Sequence, residues 1–171
     1  HITVPIEEGE PYALGSFTVT GAEVFKEAGL RRIFAVTPGA TYNRKIVDEG
    51  MEQVRDGYHN TGYVYAYTNE TWARREGEER IVDVTIDIFE GERYRLGRLE
   101  FIGNTTTRDK VLRREFRIAE GQYMNMALFR ASVFKVNALG YWKLEEEPLE
   151  FDFDDENQRS TSTSRATRSA A

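Results

Sequence analysis

Residues 90–106 read EGERYRLGRLEFIGNTT, and the first half of this segment has already occurred once in the chain. Residues 8–15 read EGEPYALG, so two glutamates, two glycines, a tyrosine and a leucine return at an offset of 82 residues. The offset holds without a gap as far as Asn43 and its counterpart Asn125. Because apolar positions, glycines and helix starts all keep this register, the sequence indicates a duplicated domain.

Each copy reads as strand, helix, helix, strand and strand. Residues 94–102 alternate apolar and polar side chains, which predicts a half-buried strand, and the Gly-Asn pair that follows predicts a turn. The second helix of the later copy begins near Asn125, whose amide can cap it, and ends at Gly140. Residues 81–88 (IVDVTIDI) give the strongest strand pattern, because Val and Ile alternate with polar residues. This order predicts an α+β fold of two tandem βααββ modules, each with two antiparallel helices on a three-stranded mixed sheet.

The order of elements also predicts the topology of each sheet. The crossover from strand one should be right-handed, and strand three then runs parallel to strand one because it reverses the hairpin from strand two. The most economical sheet places strand three in the middle and leaves strand two, residues 63–72, as an exposed edge that an extended polypeptide can join. Tyr63, Tyr65 and Tyr67 would share one face of this strand, which ends at Trp72. That face is either contact area for a partner or cover for the underside of the helices.

The repeat divides the chain into four predicted segments. Residues 1–10 align with a third strand and are interpreted as the last strand of a preceding or truncated unit. Residues 11–91 form the first module, and residues 92–158 form a second module that stops before any Val/Ile-rich third strand. Residues 159–171 (RSTSTSRATRSAA) have no apolar periodicity, and we interpret them as a linker or non-native tail.

The second module is therefore expected to lack the central strand of its sheet. The backbone groups of the two strands that would flank it then need another partner. Two segments are available to fill the gap. Residues 159–168 can fold back as a Ser/Thr-rich substitute, and their tether favours them because it keeps them at a high effective concentration. The alternative is residues 2–6 of a neighbouring molecule, which align with a true third strand.

Charge and composition exclude several classes of function. The formal net charge is −6, and residues 159–171 carry three arginines and no acid, so the rest of the chain carries −9. Phosphate binding requires a basic surface, so we do not expect nucleic acid as a partner. The chain has no cysteine, and the acidic residues within 145–156 lack the spacing of a calcium loop. No nucleophile and base can be paired from the sequence, so we expect no metal, no cofactor and no enzymatic activity.

The strand, the Gly-Asn turn, the segment VLRREFR at residues 111–117 and the following Glu120-Gly121 resemble the POTRA (polypeptide-transport-associated) family. The resemblance covers residues 1–157 and is greatest to the last two units of the periplasmic array of BamA-like outer-membrane protein assembly factors. It implies a periplasmic part of an outer-membrane protein in a Gram-negative bacterium, with the C-terminal membrane barrel absent from this fragment. The implied partners are unfolded outer-membrane proteins, received by β-augmentation, and accessory lipoproteins of the assembly complex. The alternatives are a TamA-like or two-partner-secretion transporter and a structural POTRA protein of the cell-division type.

The resemblance also implies a docking site for a lipoprotein at Arg113, Arg117 and Glu120 of the second module. The repeat supplies an internal comparison for these positions. Arg113 matches another arginine in the first copy, whereas Glu120 matches Pro38 and Arg117 matches Ala35. Residues that differ between the copies are better candidates for a partner than residues that both copies share, which favours Glu120 and Arg117.

Overall fold

The computed structural model describes residues 11–75, 80–102, 109–138, 143–144, 150–154 and 159–167. Contacts divide the chain into two compact units. The first unit consists of His1–Val54 and Tyr67–Phe89, and the second consists of Arg55–Ala66 and Glu90–Ala171. Among the described residues, none of the helices combines the length and the apolar character that a membrane crossing requires.

The first unit contains a three-stranded mixed sheet covered by helices on one face. Its elements, in chain order, are β1 (Ala13–Thr20), α1 (Glu27–Phe34), α2 (Arg44–His59), β2 (Tyr67–Arg74) and β3 (Ile81–Phe89), although the end of α2 from Arg55 onward is grouped with the second unit. The strand order is β1-β3-β2, with β3 parallel to β1 and antiparallel to β2. The predictions that the third strand lies in the middle and that the second strand lies at the edge are confirmed.

Alternation along β3 explains why this strand takes the central place. Its buried residues are all apolar and fall at every second position: Val82, Val84, Ile86 and Ile88. They meet the buried faces of β1 and the helices, where the rings of Phe17 and Phe34 lie 5.0 Å apart. Gly50 of α2 permits this packing, because a Cβ at that position would come within 2.4 Å of the Phe34 ring. No other strand of this unit buries as many apolar side chains among the described residues, so β3 is a large contributor to the small core that a module of this size can form.

A bulge in β1 is held by a carboxylate of the central strand. The register of β1 against β3 shifts between Leu14 and Phe17. There the backbone N–H and the hydroxyl of Ser16 donate to Asp83 Oδ1, at 2.5 Å and 2.8 Å, and Arg75 Nη2 donates to the same oxygen at 2.7 Å. The hydrogen bonds from Arg75 and then from Ser16 hold the pKa of Asp83 well below its usual range. The carboxylate thus replaces the pairing that the bulge removes.

The second unit repeats this arrangement with a different central strand. Its elements are β4 (Arg95–Ile102), α3 (Asp109–Glu115), α4 (Met126–Ala138), β5 (Lys143–Leu144), β6 (Glu150–Asp154) and β7 (Arg159–Thr167). β7 pairs in parallel with β4 and antiparallel with β5 and β6. The prediction that the C-terminal segment folds back to fill the centre of this sheet is confirmed. β4 carries its bulge between Leu96 and Leu99, at the same offset of 82 residues from the bulge in β1.

The register of β7 places serines where the first unit has its core residues. In the first unit, Leu14, Phe17 and Val19 of β1 pair with Val82, Val84 and Ile86. Their counterparts Leu96, Leu99 and Phe101 of β4 pair with Ser160, Ser162 and Ser164. β7 therefore satisfies the backbone of the sheet without supplying the apolar residues of a third strand. Among the residues whose side chains the structure describes, the core of the second unit comes from β4, the two helices and the segments next to them: Leu96, Leu99, Phe101, Leu112, Ile118, Met124, Phe129, Val133 and Val136.

We predict that Asp83→Asn destabilises the first unit at neutral pH and weakens its dependence on acid. The folded-state pKa of Asp83 lies below the unfolded value, so the carboxylate stabilises the fold above about pH 4 and loses this contribution as the pH falls. Denaturant unfolding of both proteins between about pH 7 and pH 3, followed on first-unit signals, measures the difference. The difference should be greatest at neutral pH and shrink in acid; a difference that stays constant with pH would contradict this role.

We also predict that the triple variant Ser160→Val, Ser162→Val, Ser164→Ile stabilises the second unit. These positions have the register of Val82, Val84 and Ile86, where full burial is worth about 1.5–3 kcal/mol per side chain. Thermal unfolding of the second unit measures the gain. The matched control is Thr161→Val, Thr163→Val, because these positions have the register of Asp83 and Thr85 on the other face. An equal gain from the control would show that strand propensity, rather than burial, explains the effect.

Candidate protein-binding surfaces

The first candidate surface is the free edge of the sheet in the first unit. β2 pairs with β3 from Tyr67 to Arg74, and within the part of the chain that the structure describes no strand pairs with its other side. The opposite edge is covered where β1 begins. Leu14 N–H donates to the Ala40 carbonyl at 2.8 Å, and Gly39 N–H donates to the Leu14 carbonyl at 2.6 Å. Among the described residues β2 is therefore open along its whole length and can accept a further strand, whereas the beginning of β1 is covered.

Two of the four residues predicted for this edge lie outside it. The strand begins at Tyr67, so the prediction that Tyr63, Tyr65 and Tyr67 share one strand face is wrong. Turns follow α2 instead: Tyr63 N–H donates to the Tyr58 carbonyl, and Ala66 N–H donates to the Tyr63 carbonyl, each at 3.1 Å. These local hydrogen bonds use backbone groups that an extended strand would leave for a neighbour. Alternation of tyrosine with smaller residues cannot by itself distinguish the two conformations.

Tyr67 and Trp72 remain on the edge strand, and 54% and 57% of their surfaces are exposed. Their side chains lie on opposite faces of the sheet, because the two residues are an odd number of positions apart. On the face away from the helices, the Tyr67 ring stacks on Phe89 of β3 with ring centroids 5.0 Å apart. The open edge thus carries a large aromatic side chain on each face.

Trp72 also lines a pocket of about 230 Å³ on the helix side of the sheet, together with Tyr12, Tyr42, Arg44, Arg74 and Val82. The guanidinium of Arg74 lies 5.2 Å from the centroid of the Tyr12 ring. The Tyr42 hydroxyl donates to Glu70 Oε1 on β2 at 2.5 Å. Burial, reinforced by this hydrogen bond, raises the pKa of Tyr42 above its usual range. The pocket offers aromatic walls and two cationic side chains next to the open edge.

The second candidate surface includes Arg113 and Glu120, which bind each other and the backbone of β4. Arg113 Nη1 donates to Glu120 Oε1, its Nη2 donates to the Leu99 carbonyl, and its Nε donates to Asp109 Oδ2 at 2.8 Å. Glu120 Oε1 also accepts from Leu99 N–H at 2.9 Å. The pair therefore satisfies the backbone of β4 at the bulge between Leu96 and Leu99.

These contacts keep both side chains charged. The hydrogen bond from Leu99 N–H, followed by that from Arg113, holds the pKa of Glu120 below its usual range. The hydrogen bond to Asp109, followed by that to Glu120, raises the pKa of Arg113. The side chains of Arg113 and Glu120 are 35% and 45% exposed, so a partner can still reach them. The cluster has a structural role within the unit, whether or not it also contacts a partner.

Arg117 stands apart from this cluster. Its backbone N–H donates to Ser132 Oγ of α4 at 2.9 Å, and its exposed side chain lines a shallow groove with residues of that helix. The groove also includes Phe134, which the sequence prediction missed and which is 76% exposed. The repeat could have indicated this residue, because its counterpart at the offset of 82 residues is the charged Glu52.

The described ranges contain no group of three or more His, Asp or Glu side chains placed to hold a metal ion. Instead, the two surfaces offer groups suited to protein contact: aromatic rings, arginine side chains and the open backbone of an edge strand.

Comparison with known proteins adds the family. The POTRA model, described as surface antigen variable number repeat, matches residues 12–91 and 94–158. The outer membrane protein assembly factor BamA of Nitratidesulfovibrio vulgaris is 27% identical over 145 residues, covering 82% of this chain and 18% of that protein. BamA of Neisseria meningitidis serogroup B is 25% identical over 142 residues, with the same coverage of 82% and 18%. The chain thus spans less than one fifth of the length of these relatives.

A solved structure supports the fold. The crystal structure of POTRA modules 3–5 of Haemophilus influenzae BamA matches with a TM-score of 0.76 at 21% identity, and the match covers 92% of this chain and 61% of that one. The family model covers most of the chain and divides it at the boundary between the two repeats. The chain therefore belongs to the POTRA family and is a tandem pair of non-enzymatic scaffold modules that resemble the POTRA modules of BamA.

Proposed function

We propose that this chain belongs to the periplasmic region of an outer-membrane protein assembly factor and that its first unit receives unfolded outer-membrane proteins along β2. The observation that carries this proposal is the open edge of β2, which lies opposite the β1 edge that residues 39–41 partly cover. An extended client can add a strand there through backbone hydrogen bonds, which demand little of its sequence. Such tolerance suits a receptor of many different β-strand proteins.

The aromatic residues beside this edge support the proposal. A docked strand would place alternate side chains on the two faces of the sheet, where it meets Tyr67 on one face and Trp72 on the other. Exposed aromatic side chains supply large contact areas at a small cost in conformational entropy. The pocket next to Trp72 can take an apolar or aromatic side chain of the client, with Arg44 and Arg74 at its wall. The function of a TamA-like or two-partner-secretion transporter would use the same edge and remains the alternative.

The proposed partners of the second unit are accessory lipoproteins of the assembly complex, at Arg113, Arg117 and Glu120. Two of these residues are partly exposed while they hold the β4 bulge, and Arg117 is exposed without a comparable structural role. An exposed ion pair with a partner would contribute at most about 1 kcal/mol, so most of the affinity must come from apolar contact nearby.

We predict that a peptide of about ten residues from a transmembrane strand of an outer-membrane protein binds β2 and that Trp72→Ala weakens binding by about tenfold. Titration calorimetry gives the affinities, and amide shifts locate the peptide. The matched control is Leu128→Ala in the second unit, since Leu128 is another exposed apolar residue, 38% accessible. A peptide N-methylated at alternate residues on its pairing edge should not bind, because it cannot donate to the strand. Equal binding of the methylated peptide would contradict strand addition.

We predict that Glu120→Lys reduces both lipoprotein binding and the stability of the second unit, whereas Glu120→Gln reduces binding with a smaller loss of stability, because glutamine removes only the charge that Arg113 binds. Glutamine keeps an oxygen that can accept from Leu99 N–H, but it removes the charge. Pull-down with periplasmic lipoproteins, combined with thermal unfolding of each variant, separates the two effects. If Glu120→Gln, tested at a temperature where it is fully folded, bound lipoproteins as well as the unmodified chain, Glu120 would have no part in docking.

A further inference from the structure

The outer face of α4 carries a large exposed aromatic residue, which no other described helix does. Phe134 is the most exposed of the large apolar residues described, at 76%. It lines a shallow groove of about 600 Å³ with Arg117, Arg130, Ala131, Lys135 and Ala138, and these six residues are called here the α4 patch. Ala131 and Ala138 precede and follow Phe134 by three and four positions, so the three residues form one apolar stripe along the helix.

The repeat shows that this face is not a requirement of the fold. The offset of 82 residues also aligns the buried Val47 and Val54 of α2 with the buried Phe129 and Val136 of α4. At this offset, α2 carries acidic side chains at four of the positions that correspond to the patch, all exposed: Asp48 for Arg130, Glu49 for Ala131, Glu52 for Phe134 and Asp56 for Ala138. Two of these acids form exposed ion pairs with a cation one helical turn earlier: Asp48 with Arg44, and Glu49 with Lys45. The same helix of the same fold is thus a solvated acidic face in one copy and an apolar, basic face in the other.

The cations around Phe134 define the charge of whatever covers it. Within the ranges that the structure describes, neither Arg117 nor Arg130 forms an ion pair. Lys135 binds Glu115 Oε2 at 2.8 Å, so its charge is partly balanced within the unit. Two arginines that have no ion pair among the described residues, beside an apolar stripe, are complementary to an acidic partner.

We propose that the α4 patch docks an amphipathic helix of a partner protein whose apolar stripe is flanked by Asp or Glu. The alanines on either side of Phe134 have short side chains, so another helix can approach α4 closely and receive the ring between its own residues. The acidic flanks of that helix would meet Arg117 and Arg130. This surface goes beyond the proposed client binding, since it lies on the other unit, consists of side chains rather than strand backbone and requires a helical partner. It shares Arg117 alone with the proposed lipoprotein site and does not depend on Arg113 or Glu120.

A library of helix-forming peptides about twenty residues long, displayed on phage, tests the proposal with the full chain as bait. Selection should enrich peptides with an apolar i, i+3, i+4, i+7 stripe flanked by acidic residues. Phe134→Glu, which restores the residue of the other repeat, should weaken the best peptide by at least tenfold. The matched control is Val111→Glu, because Val111 is an exposed apolar residue on α3 of the same unit. This variant should bind the best peptide as tightly as the unmodified chain does. Binding should also weaken as salt rises toward about 1 M, because salt screens the arginine contacts.

Several results would overturn the proposal. One is an absence of enriched peptides, or enriched peptides that bind the Phe134→Glu variant equally well. Another is Phe134-dependent binding to phosphatidylglycerol vesicles by a chain that enriches no acidic helix, which would assign the patch to a membrane surface. A third is a dimer that Phe134→Glu dissociates in sedimentation experiments, which would assign the patch to a second copy of the chain. Strand-peptide binding at β2, measured on the same Phe134→Glu protein, should be unchanged, so the proposed function is tested separately.

Discussion

Backbone pairing on both sides of the third strand is the constraint on which each module depends. β3 binds β1 in parallel and β2 in antiparallel fashion, and its apolar side chains fill the space beneath the helices. Because β3 occupies the centre, β1 and β2 become edges, and the residues 39–41 cover only the beginning of β1. The open edge of β2 therefore follows from the position of β3. In the second unit β7 forms the same backbone pairing, but its residues at the equivalent register positions are serines. The two roles of a central strand, backbone pairing and core formation, are therefore separate.

The two copies of the module share a scaffold and differ on their surfaces. Both carry a bulge at equivalent positions of the first strand, and each bulge is held by a carboxylate with a lowered pKa and an arginine. The residues differ, since Asp83 and Arg75 act in the first unit whereas Glu120 and Arg113 act in the second. Comparison of the two copies was thus an incomplete guide to function, because it separated the shared Arg113 from Glu120 although the two residues hold the same bulge. Glu120, which occurs in one copy, also holds the local fold.

Much of the fold could be predicted from sequence because its signals are periodic and local. Alternating Val and Ile identified β3 as a strand, and its central place followed from the connection rules for parallel strands. The start of β2 could not be placed, because residues 63–67 alternate as a strand does, yet hydrogen bonds to Tyr58 and Tyr63 turn the chain. The pairing of Arg113 with Glu120 and Leu99 also depends on tertiary structure, since Leu99 lies in a separate strand. Phe134 could have been found earlier by asking where the two repeats exchange acidic for apolar residues.

The central claim is that β2 is an open edge that an extended client completes, and hydrogen exchange of its backbone amides tests this claim most directly. In the free chain, β2 amides should alternate between slow exchange, for those bonded to β3, and fast exchange, for those that face outward. Addition of a client strand peptide should slow the fast set and leave the β1 amides unchanged. Outward β2 amides that are already protected in the free chain, or that exchange at the same rate with a bound client, would contradict the account.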